Sequence, residues 1–302
     1  YIFSFFDLYE VNFQLFMIFS DTIILWYNKN KRDLPWRKTV NPYKIWISEI
    51  ILQQTKVVQG LPYYNNFIRH FPTIVDLANS DEDMVMKIWQ GLGYYSRARN
   101  LHFTAKFIVN ELNSKFPDNY NDLLKLKGIG DYTASAISSF CFNLPHAVLD
   151  GNVSRVISRY MGIELAIDSP DGKRLLKKLS HDLLNKKYCS IHNQAIMEFG
   201  ALMCVPKSPN CSICPLSSSC VSYGTNLVSL LPNKNKVLKV KNRYFNFLII
   251  SSNNKTYIEK RKKGIWKSLY QFPLIEGEFE FDKLKMSKEW LRLFNSQVDV
   301  YM

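Results

Sequence analysis

Four cysteines within one short loop, Cys204, Cys211, Cys214 and Cys220 in CVPKSPNCSICPLSSSC, constrain this chain more than any other feature. The gaps between them are six, two and five residues. A disulfide scaffold does not fit: the chain has 302 residues and six cysteines, and Cys141 and Cys189 stand apart from the loop. Clustering of this kind in a chain of this length reads as metal binding in a reducing compartment. Zinc modules commonly pair two short cysteine hairpins across a longer spacer. Here one loop with a single C-x₂-C supplies every thiolate, which suits a cubane iron–sulfur cluster at least as well as tetrahedral zinc. Spacing favours iron–sulfur and leaves zinc open.

Upstream of the loop, residues 18–220 read as one irregular, mainly α domain. Segments such as KIWISEIILQQTKV, DEDMVMKIWQGL, NVSRVISRYMGI and NQAIMEFGALMC carry apolar residues at three- and four-residue spacing. Pro, Gly, Asn and Asp separate them. Residues 221–242 form a basic, turn-rich linker. Residues 243–302 read as a smaller α+β domain. Phe245, Phe247 and Ile249 alternate there, a Ser-Ser-Asn-Asn turn follows, and a second strand is expected around Tyr257 and Ile258. KMSKEWLRLF is expected to add a helix. Residues 1–17 are expected to be an extra N-terminal segment without function, with Met17 as a candidate start. No run of eighteen uncharged apolar residues is present, so no transmembrane helix is expected.

The net charge of +13 points to an acidic partner, nucleic acid or membrane surface. Residues 221–302 hold 15 Lys and Arg against 7 Asp and Glu. Four further motifs bear on chemistry. In LKLKGIGDYTASAI, Gly128 and Gly130 permit a tight turn and a close backbone approach, and the helix that follows aims its free N–H groups outward. Lys125 and Lys127 beside the turn favour a phosphate clamp of helix-hairpin-helix form over a plain corner. Glu49 lies among Ile47, Ile50 and Ile51, surroundings that disfavour a carboxylate's charge and suit a general acid. The same spacing also fits a glutamate on a wet helix face. Asp150 in LDGNVSRV is either an ordinary turn and cap residue or a carboxylate held at a helix mouth toward a ligand. The arginines and aromatics of LWYNKNKRDLPWRK and GLGYYSRARN fit either stacking on an unstacked base or core packing.

These pieces occur together and in order in one family. From about residue 18 to 277 the chain resembles the MutY family of adenine-specific DNA glycosylases, within the endonuclease III or helix-hairpin-helix superfamily. LPWR, YKIWISEIILQQTKV, WQGLGYYSRARNLH, LKGIGDYTASAI, LDGNVSRV, NQAIMEFGALMC and the cysteine loop carry the resemblance. It implies a six-helix barrel with a cluster subdomain and double-stranded DNA as partner. Cys204, Cys211, Cys214 and Cys220 would bind a 4Fe-4S cluster, with Lys207 on that loop facing a phosphate. The match to Glu49 protonates adenine at N7, and the match to Asp150 stabilises the oxocarbenium sugar. Tyr132 and Asn152 match residues beside the reacting sugar. Gln54 and Tyr94 match residues that wedge into the duplex, and Arg32 and Gln194 match contacts to the flipped adenine.

The resemblance implies removal of adenine mispaired with 8-oxoguanine or guanine in base excision repair. Strand-nicking relatives carry a lysine at the Tyr132 position, and Schiff-base chemistry needs that amine. A monofunctional glycosylase is therefore expected. The segment after 243 resembles the family's Nudix-like, lesion-recognising domain, apparently shortened. No Phe-Ser-His loop is found before Met302, and no REx₂E-type helix for pyrophosphatase chemistry. A cytoplasmic, nucleoid-associated monomer with no membrane partner is expected. Two rivals stand: a glycosylase/lyase for oxidised pyrimidines, and a non-catalytic DNA-binding iron–sulfur protein.

Overall fold

A computed structural model describes residues 5–235 and 241–294. The first four residues, part of the expected linker (236–240) and the chain's last eight lie outside the described residues. The chain divides into two compact units, Tyr1–Gly93 with Arg97–Lys236, and Tyr94–Ser96 with Val237–Met302.

The first unit is helical. Its elements are α1 (Phe5–Asn30), α2 (Pro42–Leu52), α3 (Val57–His70), α4 (Ile74–Asn79), α5 (Glu82–Ile88), α6 (Ser96–Glu111) and α7 (Tyr120–Lys125). They are followed by α8 (Asp131–Phe142), α9 (Gly151–Met161), α10 (Pro170–Asp182), α11 (Cys189–Leu202) and α12 (Val221–Gly224). Local chemistry sets the starts. Asn41 caps α2 by accepting from the Lys44 N–H, and Pro42 supplies a preset φ at the first helical position. Thr73 and Asp76 form a reciprocal capping box on α4. Ser169 caps α10 and Asp150 caps α9. Among the described residues no helix is long and apolar enough to cross a membrane.

The core determines where the site can lie. Helix α2 is buried on every side from Ile45 to Ile51, Glu49 included. Of the two readings of Glu49, the one among apolar neighbours therefore holds, while the expectation of an amphipathic helix here is corrected. Five isoleucines and tryptophans on neighbouring positions leave no polar stripe for solvent, and α8 and α3 pack against it. Helix α11 is the other central element, packed against α1, α8 and α9. Gly200 lets α11 approach α9 closely: a Cβ there would lie 2.8 Å from the Asn152 Cβ and 3.0 Å from its carbonyl oxygen.

The second unit holds β1 (Phe245–Phe247), β2 (Ser251–Ser252), β3 (Lys255–Thr256), β4 (Glu259–Lys260), β5 (Tyr270–Gln271) and β6 (Leu274–Glu276). Helices α13 (Phe281–Lys285) and α14 (Lys288–Leu293) complete it. The Ser-Ser-Asn-Asn turn is present between β2 and β3, with Asn253 and Asn254 both at positive φ, as a tight hairpin requires. The expected pairing of Phe245–Ile249 with the next strand is corrected. β1 pairs antiparallel with β6, Phe245 opposite Glu276 and Phe247 opposite Leu274. The tight turn limits the β2–β3 ladder to Ser251–Thr256, beyond which the Tyr257 N–H and the Thr256 hydroxyl donate to the Ile250 carbonyl, at 3.1 and 3.0 Å. Ile275, Leu284 and Trp290 form the small core of this unit.

Gly200→Ala tests the close packing of α11 on α9. It is expected to cost about 1–3 kcal/mol through overpacking, a fall in Tm of roughly 2–10 °C for a unit of this size. An unchanged Tm in thermal unfolding would show that the two helices have room to part.

Candidate active site

A cleft of about 850 Å³ opens in the first unit where α2, α8, α9, α11 and the segment around Arg32–Arg37 meet. Glu49 enters it from the C-terminal half of α2. Tyr132 enters from the start of α8, Asp150 and Asn152 from the mouth of α9, and Gln194 and Glu198 from α11. Arg32 and Gln54 line it as well. Residues far apart in sequence are thus brought to one cavity.

The two carboxylates sit in different surroundings. Glu49 is 6% exposed, and burial pushes its carboxyl up to about 7. The negative charge of Asp150 adds to that rise, while the Tyr132 hydrogen bond and the Arg37 charge oppose it. Tyr132 Oη donates to Glu49 Oε2 at 2.8 Å. Burial also raises Asp150, against hydrogen bonds from Val153 and Asn152 that favour its charged form. The Val153 N–H donates to Oδ1 at 2.7 Å and Asn152 Nδ2 donates to Oδ2 at 2.9 Å. The α9 dipole adds to the preference for a negative charge at that position. The cleft therefore offers a carboxylic acid able to give a proton near neutrality and a carboxylate suited to face developing positive charge.

A buried ion cluster forms one wall. Glu198, 1% exposed, accepts from Arg32 Nη2 at 2.5 Å and Arg37 Nη2 at 2.7 Å. Its other oxygen takes Arg32 Nε at 2.9 Å, the Arg32 backbone N–H at 3.0 Å and Arg37 Nη1 at 2.9 Å. Burial alone would raise this carboxyl, but the two guanidiniums outweigh it and hold the group down to about 2. Arg32 thus reaches the cleft as half of a fork-to-fork pair. Gln194 accepts from Tyr27 Oη at 2.9 Å.

Helix α9 connects the cleft to the cysteine loop. Arg155 Nη2 donates to Asn152 Oδ1 at 2.9 Å and to the Gly200 carbonyl at 2.6 Å, and its Nε donates to the Cys204 carbonyl at 2.8 Å. One turn on, Arg159 donates to the carbonyls of Val205, Pro206 and Leu231 at 2.7, 2.9 and 2.9 Å. Arg159 Nη1 also lies 3.5 Å from Cys204 Sγ. All four cysteines line one cavity, with Arg159, Tyr160 and Phe199 behind them. Among the described residues, no three His, Cys, Asp or Glu side chains gather as they would around a single metal ion.

Gln54 lies at the edge of this cleft, and the remaining expected site residues lie elsewhere. Gln54 is exposed just past α2 with φ +56°, and Arg97 fixes the preceding helix end by donating to the carbonyls of Ile50, Ile51 and Gln53. Tyr94 groups with the second unit, exposed, with φ +46°. Gly128 and Gly130 form the turn between α7 and α8. Gly128 has φ +84°, and a Cβ there would meet Asn100 at 2.8 Å. Lys127 lies over the Phe103 ring at 4.4 Å. Glu198 and Arg37 escaped the sequence reading. An acidic residue in the otherwise apolar run IMEFGALM is the one local signal that could have found Glu198.

Removing Glu198 leaves two partly buried guanidiniums without their shared anion. Glu198→Ala is expected to cost about 3–5 kcal/mol, read as a fall in Tm. Because the folded group is depressed to about 2, the stabilisation is present above the ordinary carboxylate range and is lost as pH falls toward 2. An unchanged Tm and an unchanged acid limb in the variant would contradict the assignment.

Residues 47–182 match the HhH-GPD superfamily of base excision DNA repair proteins. An adenine DNA glycosylase of Buchnera aphidicola subsp. Baizongia pistaciae is 41% identical over 285 residues, 93% of this chain and 79% of that protein. A solved structure of a thermostable thymine-DNA glycosylase aligns with TM-score 0.64 at 30% identity, covering 70% of this chain and 97% of that one. A non-covalent endonuclease III–DNA complex aligns with TM-score 0.61 at 22% identity, over 71% of this chain and 98% of that one, a likeness of fold. With the helical architecture and the paired carboxylates, these similarities place the chain in the adenine DNA glycosylase family, DNA repair enzymes of the HhH-GPD superfamily.

Proposed function

We propose that the enzyme excises adenine opposite 8-oxoguanine or guanine in double-stranded DNA, by hydrolysis without strand cleavage. The observation that carries this reading is the pair of unlike carboxylates, Glu49 and Asp150, in one cleft. Adenine must first leave the stack, which costs a few kcal/mol and less for a mispaired base. Glu49 then gives its proton to N7 as the C1′–N9 bond breaks, so that neutral adenine departs. Asp150 stabilises the cationic sugar, and water adds at C1′ and loses a proton, leaving an abasic site. Tyr132 holds Glu49 by its hydrogen bond, and Asn152 orients Asp150. Arg32 and Gln194 contact the extruded base from the cleft wall. Gln54 and Tyr94 fill the gap in the duplex, and Gly128, Gly130 and Lys127 grip the backbone. Tyr132 has no amine for Schiff-base formation, which supports the hydrolytic over the lyase reading.

The cysteine loop suits a 4Fe-4S cluster. Its four thiols surround one cavity. Burial, and further the facing thiols, push the Cys214 thiol up to about 11. Four cysteines in one short loop with a single C-x₂-C suit a polynuclear cluster better than the paired hairpins common in zinc modules. Cys204, Cys211, Cys214 and Cys220 would hold such a cluster, which would pin the loop in shape rather than act on the substrate. Cys204 would then fix Arg155, and through it Asn152 and Asp150. Residues 18–220 would be the catalytic domain, 221–242 a linker, and 243–302 a Nudix-like reader of the oxidised guanine. The protein would work as a monomer on nucleoid DNA in the cytoplasm.

Single-turnover release of adenine from an A·8-oxoguanine duplex tests the assignment. Loss of general acid catalysis in Glu49→Gln is expected to slow release by about 10²–10⁴-fold. With the Glu49 carboxyl at about 7, the wild-type rate is expected to fall as pH rises through that value. Equal rates for wild type and variant would sink the reading, as would a borohydride-trapped protein–DNA adduct for its hydrolytic part.

A further inference from the structure

The turn at Gly128–Gly130 leads straight into α8, whose first residue is Asp131. Gly130 is exposed, faces open space, and offers no side-chain cap to the amides that follow. Those free N–H groups and the positive end of the α8 dipole suit a phosphate. Asp131 places a carboxylate at the same helix start. The dipole favours that charge as it favours a phosphate, so an unpaired Asp131 would repel the ligand that the turn is built to receive.

Lys177 offsets this charge and Tyr120 adds a neutral hydrogen bond to it. Lys177 Nζ on α10 donates to Asp131 Oδ1 at 2.9 Å, and Tyr120 Oη at the start of α7 donates to the same oxygen. Tyr120 is itself held by stacking on His146, with ring centroids 4.5 Å apart and planes 11° from parallel. Three helices thus converge on one exposed carboxylate. The ion pair contributes little to folding, since both side chains are 54% exposed and screened by water. Its effect falls instead on the electrostatics of the neighbouring turn.

We propose that Lys177 is a positioning residue for DNA binding: by neutralising Asp131 it lets the hairpin amides accept a backbone phosphate without a competing negative charge. This rests on reading the Gly128–Gly130 turn as a phosphate clamp. It assigns Lys177 no contact with the base or the reacting sugar.

A double-mutant cycle on affinity for an undamaged A·T duplex, followed by fluorescence anisotropy over a salt series, tests it. Lys177→Met is expected to raise Kd roughly two- to five-fold, the size of one exposed charge interaction. In an Asp131→Asn background the same change is expected to have no effect, because no carboxylate remains to neutralise. Lys177→Arg is expected to restore wild-type affinity. For an A·8-oxoguanine duplex the loss is expected in the enzyme concentration for half-maximal rate, not in the saturated single-turnover rate. Equal losses in both backgrounds, with a salt slope lower by about 0.9, would show a direct lysine–phosphate contact and overturn the proposal. No loss in the wild-type background would overturn it too. An additive cycle in a protein that still releases adenine would fell this proposal alone. Failure of wild type to bind the duplex would fell the clamp reading and the proposal together.

Discussion

A buried carboxylic acid is the constraint on which the rest of this structure depends. Glu49 sits on a helix with no wet face, and water cannot stabilise its charge. Burying an ionised carboxylate without compensation costs several kcal/mol, so such a group tends to hold its proton instead. Tyr132 supplies a single hydrogen bond from α8, and Arg37 supplies a distant positive charge. Neither is enough to offset burial, and the group stays up at about 7. The apolar packing of α2 against α8 is thus also the means by which the cleft obtains an acid at neutral pH.

Burial raises the second carboxylate too, but there more hydrogen bonds oppose the rise. Asp150 is also largely buried, yet each of its oxygens accepts an N–H, from Val153 and from Asn152. A capping interaction that starts α9 thereby becomes the holder of a negative charge. Arg155 and Arg159 extend the same helix toward the cysteine loop, which they grip by carbonyl oxygens rather than by carboxylates. Loop, helix and cleft form one connected hydrogen-bonded body, and the close approach at Gly200 completes it. Glu198 with its two arginines contributes a rigid polar wall whose charges are matched internally.

Much of this was legible in the sequence because it rests on local chemistry. The cap at Asp150, the Gly128–Gly130 turn and the Asn253–Asn254 hairpin are short-range features. The spacing of the four cysteines is likewise a property of one loop. What was not legible depends on distant partners. Glu198 meets Arg32 and Arg37 across more than 160 residues, and an isolated glutamate in a helix carries no mark of that pairing. The isoleucines around Glu49 pointed to its burial, but their spacing alone fitted an amphipathic helix with a wet face equally well. The pairing of β1 with β6 spans the whole second unit, where no turn signal fixes the partner.

The account stands or falls on the protonation of one side chain. Infrared difference spectra between wild type and Glu49→Gln, recorded across pH, observe the carbonyl stretch of a protonated Glu49 carboxyl directly. The structure predicts that this band persists to near neutrality and disappears with a midpoint at about 7. A midpoint in the ordinary carboxylate range, near 4, would show that Glu49 is already ionised when the enzyme meets DNA. It would contradict the role of burial on which the proposed chemistry rests.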